Sequence, residues 1–446
     1  MMNSIPASKP HSLPTAYYLL IALLAATPIL AMVSGSFAQH VLALVAAVMA
    51  AIAATGPKTE LALAAQLLKR FLPAFLLPVV WMALQIFPAP TFSLANPIWS
   101  ATSIALNQPS LPGRISVDPG ATLRSLLLYL VNASLLVSTV TITIDRQRAR
   151  TVLSVLCVVT TFISAEVLLS RYDLFARMIP DTGAAASPFP AAAALAILAN
   201  GALVARTLER HLQQQQSHNL ALRQLWLGVL SGLFGIGVAV AAMATLERGA
   251  LLAVAGLGLT AIIFIAAVRS MGFRSWPSTI LFVVFAATAG AMVMPHSQSG
   301  SLGLLGFVSA TPETVAAAER LLSDAPRLGN GVGTFGLTSI SYQDFGAGAL
   351  PAPLSTAILI AIESGRLAIV ILMGFAAQIF FVTFRGAVRR GRDFFFAAAA
   401  AAGVLVVLCE SFLDSSLSNP TVQIIVAVMV ALGLAQSTGR TSAAKT

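Results

Sequence analysis

The chain predicts an all-α, polytopic integral membrane protein, and three observations predict it. Of 446 residues, 57% are hydrophobic and 9% are charged, where a soluble domain carries about 25% charged residues. The apolar residues fall into separate runs near the ~20 residues that a helix needs to cross a ~30 Å hydrocarbon core. The basic residues cluster between those runs, as the positive-inside rule expects of cytoplasmic loops. A net charge of +10 spread in this way argues against nucleic-acid binding, which gathers basic residues on one face or stripe.

In chain order the runs place about twelve spans, at 17–33, 37–54, 71–88, 125–144, 151–169, 186–204, 225–244, 249–268, 277–294, 354–382, 394–409 and 421–436. The first follows a short start containing Lys9 and reads as an uncleaved span rather than a signal peptide, because eleven similar runs follow it. The run at 354–382 is long enough to tilt or kink. One transmembrane domain at 17–436 therefore lies between cytoplasmic tails at 1–16 and 437–446. With the N-terminus inside, the inner segments hold 18 of the 26 basic residues and the outer segments 7, while Arg366 sits within a span. That asymmetry puts both termini in the cytoplasm. Cys157 and Cys409 each lie inside an apolar run, as buried thiols do, and provide no disulfide framework or metal site.

Two outer segments are long, 89–124 and 295–353. Within the second, Thr311-Pro312-Glu313 supplies an N-cap, a proline at N1 and an acidic first turn for a surface helix over 311–324. Loops of this length in compact proteins are functional or disordered. The low charge of the second favours function.

Few residues are equipped for chemistry. Gly331, Gly333 and Gly336 satisfy the spacing G-x-G-x-x-G, but a dinucleotide fingerprint needs a preceding strand and a following helix. In an outer loop the glycines instead let the backbone turn sharply or approach a ligand. The histidines His11, His40, His211, His218 and His296 form no metal-ligand pair beside a carboxylate, and only His40 and His296 fall near the outer face. The arginines are more informative. Arg248 occupies the tight connection Thr245–Gly249, Arg320 lies on the loop helix, and Arg327 precedes the glycines. A guanidinium at a membrane surface suits bidentate recognition of phosphate; the plainer reading of Arg248 is pairing with Glu247 or snorkelling to headgroups. Glu363 and Arg366, three residues apart in the tenth span, share a helical face. Such a pair either neutralises itself or lines a wet cavity. Glu166 stands alone in the fifth span.

Four segments, in order, resemble the O-antigen ligase and polymerase superfamily of bacterial envelope glycan enzymes. They are Pro97-Ile98-Trp99 with Ile115-Ser116-Val117-Asp118-Pro119 leading through Thr122 into a span; the turn Glu247-Arg248-Gly249-Ala250; Arg320 followed by Ala325-Pro326-Arg327-Leu328-Gly329-Asn330-Gly331-Val332-Gly333-Thr334-Phe335; and Glu363-Ser364-Gly365. The likeness in order and topology covers most of residues 15–436. It implies a GT-C-like helical fold in the bacterial inner membrane, with a large outer loop between the ninth and tenth spans. It also implies transfer of a glycan from an undecaprenyl-pyrophosphate carrier at the outer face, without cofactor, metal or nucleotide sugar. Arg248 and Arg320 would then bind the pyrophosphate, Arg327 and Arg366 would assist, and Glu363 would be catalytic. The acceptor would be another lipid-linked repeat in a polymerase or lipid A-core in a ligase, with membrane lipids and other polysaccharide assembly proteins as partners.

The chain departs from the ligase pattern at one place. Leu354 stands where ligases carry a histidine, so an acceptor proton would fall to Glu363, Asp344 or another carboxylate. This lowers a ligase more than a polymerase. The expectation is therefore a polymerase of lipid-linked polysaccharide repeats, with a ligase as its neighbour. From a different class, a non-catalytic transporter or assembly subunit is the rival; a transporter predicts an internal repeat, and none is visible.

Overall fold

The computed structural model describes residues 12–33, 35–89, 94–108, 110–172, 186–213, 218–270, 304–305, 308, 310–342, 352–389 and 393–437. The span expected at 277–294, together with His296 and Asp344, lies outside them. The helices are α1 (Ser12–Met32), α2 (Gly35–Ala54), α3 (Lys58–Lys69), α4 (Leu72–Ile86), α5 (Ile98–Ala105), α6 (Pro119–Thr143), α7 (Arg146–Leu169) and α8 (Phe189–Gln213). They continue as α9 (His218–Thr245), α10 (Gly249–Ser270), α11 (Pro312–Asp324), α12 (Phe335–Ile340), α13 (Thr356–Ser364), α14 (Arg366–Arg389), α15 (Phe394–Leu413) and α16 (Pro420–Ser437). Among the described residues the only β pairing is the isolated bridge between Pro88 and Arg114. Among the described residues, ten helices are long and apolar enough to cross a membrane, or eleven if α3 and α4, bent by 70° at their junction, form one span. This is an all-α, multi-pass membrane protein.

The core is built on small residues. Ala397 to Ala402 of α15 are all buried, and α15 packs on α16, α14, α10 and α8. At the α15–α16 crossing a Cβ added to Gly433 would overlap that of Ala400, and one added to Gly403 would meet Met429 Sδ at 2.6 Å. Without a hydrophobic force between helices in lipid, such close approach supplies the packing energy. Large apolar side chains such as Phe234, Leu230, Val370 and Leu367 point outward, as a lipid-facing surface requires.

The helix ends define two faces. On one, which we term the basic face, Arg146 and Arg150 reach Asp393, Arg269 pairs with Glu209, and Arg148 lies 3.8 Å from Glu60. On the other, the loop face, Arg171 Nη2 donates to Thr245 O at 2.9 Å and the described parts of 88–118, 310–364 and 414–419 assemble.

Two sequence expectations are corrected here. The tenth span at 354–382 is two helices, α13 and α14, broken at Gly365, whose φ is +86°. Glu363 lies in the last turn of the first, which ends at Ser364, and Arg366 begins the second, so they do not share a helical face. The break follows from a crossing of two glycines: a Cβ on Gly365 would overlap the Arg327 carbonyl, and one on Gly329 (φ +77°) would overlap the Glu363 carbonyl. The helix at 311–324 forms over Pro312–Asp324, but the Thr311 side chain does not cap its amides and instead meets the Thr314 hydroxyl at 3.1 Å.

Candidate functional site

The loop face is organised around the C-terminus of α13. A helix end leaves carbonyls without intrahelical donors, and here each of the last three finds one. Ile362 O accepts from Asn330 N at 2.9 Å, Glu363 O from Gly331 N at 2.9 Å, and Ser364 O from Trp81 Nε1 at 3.1 Å. The glycine-rich loop 329–336 is thus a cap for a broken helix. Gly329, Gly331 and Gly333 all have positive φ, at 77°, 105° and 85°, which glycine adopts without a Cβ penalty. Gly331 also lies so close to Ser116 that a Cβ would overlap its hydroxyl oxygen.

Gln85, at the end of α4 and 1% exposed, ties these pieces together. Its Nε2 donates to Leu328 O at 3.1 Å and to Glu363 O at 3.0 Å, and its Oε1 accepts from Val332 N at 3.2 Å. Its backbone carbonyl accepts from Ser116 N. The first loop joins the same unit: Trp99 Nε1 donates to Ser116 O, Asn96 Nδ2 to Asn330 Oδ1, and Val117 N to Asn330 O. Asp118 then caps α6, accepting from Gly120 N and Ala121 N, with Pro119 at the first position. Three of the four motif segments therefore interlock directly.

The Glu363 carboxylate is turned inward. It is 6% exposed, and its Oε1 accepts from Phe335 N at 3.0 Å. Burial pushes its pKa up to about 7, against backbone amides of Gly333, Phe335 and Thr334 that favour the charged form. In this geometry it holds the glycine loop.

The arginines frame the same unit. α11 packs on α13 through Leu321, Leu322, Ile358, Ala361 and Ile362, with Arg320 on its exposed side. Arg327 is exposed just before the glycines, and Arg366 Nη2 returns to Leu322 O at 3.2 Å. Leu354, in the histidine's expected place, packs against this apolar cluster. Arg248, in the α9–α10 turn where Glu247 has φ +56°, acts electrostatically on Asp414 at the other end of α13.

That end holds a group the sequence reading did not single out. Glu410, in the last turn of α15, is fully buried, and Asp414 caps the same helix end at 3% exposure. Ser416 Oγ lies 2.7 Å from Glu410 Oε1 and 2.6 Å from Asp414 Oδ1. One hydroxyl carries one hydrogen, so both contacts are hydrogen bonds only when one carboxyl holds a proton. Burial, together with the neighbouring Glu410, raises the Asp414 pKa against Ser416 and Arg248. Asp414 O accepts from Thr356 N at 2.9 Å, so the acid pair and the Glu363 loop sit at opposite ends of α13, about 12 Å apart at 1.5 Å per residue. The available signal was a pair of acids at the end of an apolar run; for Gln85 it was a lone amide inside one.

Glu166 is 1% exposed on α7, and neither carboxyl oxygen has a hydrogen-bond partner. Among the described residues no cluster of His, Cys, Asp and Glu could hold a metal ion. No family model matches the chain, and no curated protein matches its sequence.

Proposed function

We propose that the protein is a GT-C-like polymerase of polyprenyl-pyrophosphate-linked polysaccharide repeats, working with its loop face on the outer side of the bacterial inner membrane. The observation that supports the reading is the interlock itself. Three of the four segments that resemble one enzyme superfamily, far apart in sequence, form one hydrogen-bonded unit beside exposed arginines. The arginines of the basic face, among them Arg146, Arg148, Arg150, Arg206, Arg210 and Arg269, agree with a cytoplasmic placement of that face.

In the proposed reaction an acceptor hydroxyl attacks the anomeric carbon of the carrier-linked glycan. A new glycosidic C–O bond forms, the C–O bond to the pyrophosphate breaks, and the carrier pyrophosphate leaves with the electron pair. Arg248 and Arg320, with Arg327 and Arg366 in support, stabilise the charge growing on that leaving group. The hydroxyl proton passes to a carboxylate; Asp414, in the field of Arg248, and Glu363 are the two at the ends of α13. With Leu354 packed into an apolar cluster, no imidazole serves that step from this position, which favours a polymerase over a ligase.

The test is chain length of the carrier-linked glycan in cells carrying Arg248→Lys or Arg320→Lys at normal protein level. Lysine keeps the charge and loses the planar fork, so both variants should shorten the chains. Wild-type chain lengths in both would remove these arginines from pyrophosphate binding.

A further inference from the structure

The opposite face holds a second concentration of guanidinium groups that the proposed transfer does not use. It lies where the basic ends of α7, α8, α10 and α15 pack together. Asp393, buried with φ +58° at the start of α15, receives Arg150 Nη2 at 3.1 Å and Arg146 Nε at 3.7 Å. Arg269 Nη2 pairs with Glu209 Oε1 at 3.2 Å and stacks over the Phe394 ring, 4.5 Å from its centroid. Arg206 Nη1 donates to Arg150 O at 3.3 Å and Ser154 Oγ at 3.1 Å, and both Arg150 and Arg210 lie within its electrostatic reach.

Five guanidiniums thus face two carboxylates, Asp393 and Glu209. Widening the circle to Arg148, Glu60 and Asp145 leaves six cations against four anions, and the Asp145 carboxylate is already engaged by the amides of Gln147 and Arg148. Like charges held this close repel unless an anion lies between them. Among the buried polar atoms here, Arg148 Nη1, Arg150 Nε and His211 Nδ1 have no hydrogen-bond partner, and neither do the acceptors Glu60 Oε2 and Asp393 Oδ2. Buried polar groups are otherwise satisfied, so the corner carries both a surplus of positive charge and unused polar positions.

We infer that this corner binds a phosphate-bearing anion, with Arg150, Arg206 and Arg210 as its principal ligands. Guanidinium forks match phosphate oxygens bidentately. A site at the ends of membrane helices meets lipid headgroups first, and basic pockets between spans on a cytoplasmic side take anionic phospholipids. The same chemistry admits a free phosphate or pyrophosphate.

Purified full-length protein, delipidated in neutral detergent, is offered phosphatidylglycerol mixed with phosphatidylcholine, and the lipid it retains is read by native mass spectrometry with its thermal midpoint. Wild type should retain phosphatidylglycerol in preference to phosphatidylcholine and gain stability from it. R206Q/R210Q should weaken that retention roughly tenfold, whereas Arg385→Gln, an exposed arginine on α14 outside the cluster, should leave it unchanged. Arg210→Gln alone, also an exposed position, reads the same loss more weakly if the double variant does not fold. Displacement of the lipid by inorganic pyrophosphate assigns the site to free phosphate compounds; no displacement assigns it to the lipid headgroup. Equal retention of the two lipids by wild type, or undiminished preference in R206Q/R210Q and R210Q, overturns the inference.

Discussion

The two faces of this bundle are held by different physics. On the loop face, backbone amides and carbonyls of separate segments meet around the broken end of α13, with glycines where any side chain would collide. On the basic face, long charged side chains meet around Asp393 and Glu209 while remaining partly in solvent, as with Arg146 at 52% and Arg150 at 32% side-chain exposure. Backbone interlocks are short-ranged and geometrically exacting, whereas partly exposed ion pairs are screened and adjustable. A rigid frame suits residues that must hold a reacting group in place. An adjustable one suits an anion site.

The contrast is most easily broken at the glycines. Gly329→Ala and Gly365→Ala each force a methyl into a backbone carbonyl at positive φ, at an expected cost of about 3 kcal/mol or more. Yield and thermal unfolding in detergent measure it; near-wild-type midpoints would mean that the loop is not the rigid unit described. Gln85→Leu comes next, since it strips two donors and one acceptor from buried backbone partners. We expect about 2–3 kcal/mol in the same assay, together with loss of polymer.

Glu363 sharpens the comparison through pH. Its folded pKa of about 7 lies above the ordinary 4.5, so between those values the folded state binds more proton than the unfolded one. Stability from this group is therefore greatest at low pH, falls as pH rises from about 4.5 to about 7, and is flat above. Wild type should lose thermal stability relative to Glu363→Gln across that window, and parallel melting curves would contradict the buried, titrating carboxyl. Glu363→Gln retains an oxygen able to accept from Phe335 N. Polymer that persists in the variant makes Glu363 a positioning residue, and polymer lost at normal stability makes it a proton acceptor. The smallest effect is expected on the basic face. Asp393→Asn leaves Arg146 and Arg150 with a neutral partner and should cost about 1 kcal/mol, shrinking further in high salt.

Most of the spans were legible because hydrocarbon thickness imposes a length on apolar runs, and the surface helix α11 was legible from Pro312 and Glu313. The break at Gly365 was not, because Glu363-Ser364-Gly365-Arg366 between two apolar stretches also fits an ionisable pair inside one long helix until Gly329 is known to cross it. Amphipathic α3 and short α5 were hidden for another reason: neither is long enough to register as a span. Of the candidate site, the glycine loop was legible as a backbone that must turn, and the arginines as a set. Gln85 and the Glu410–Ser416–Asp414 cluster were not, since a buried polar side chain is explained only by partners that tertiary packing brings to it.

The most direct measurement is glycan length on the carrier lipid and at the cell surface, with and without this protein. A polymerase acting at the loop face predicts loss of long chains and accumulation of single lipid-linked repeats in its absence. Long chains left intact but stranded on the carrier, or an unchanged glycan profile, would contradict it.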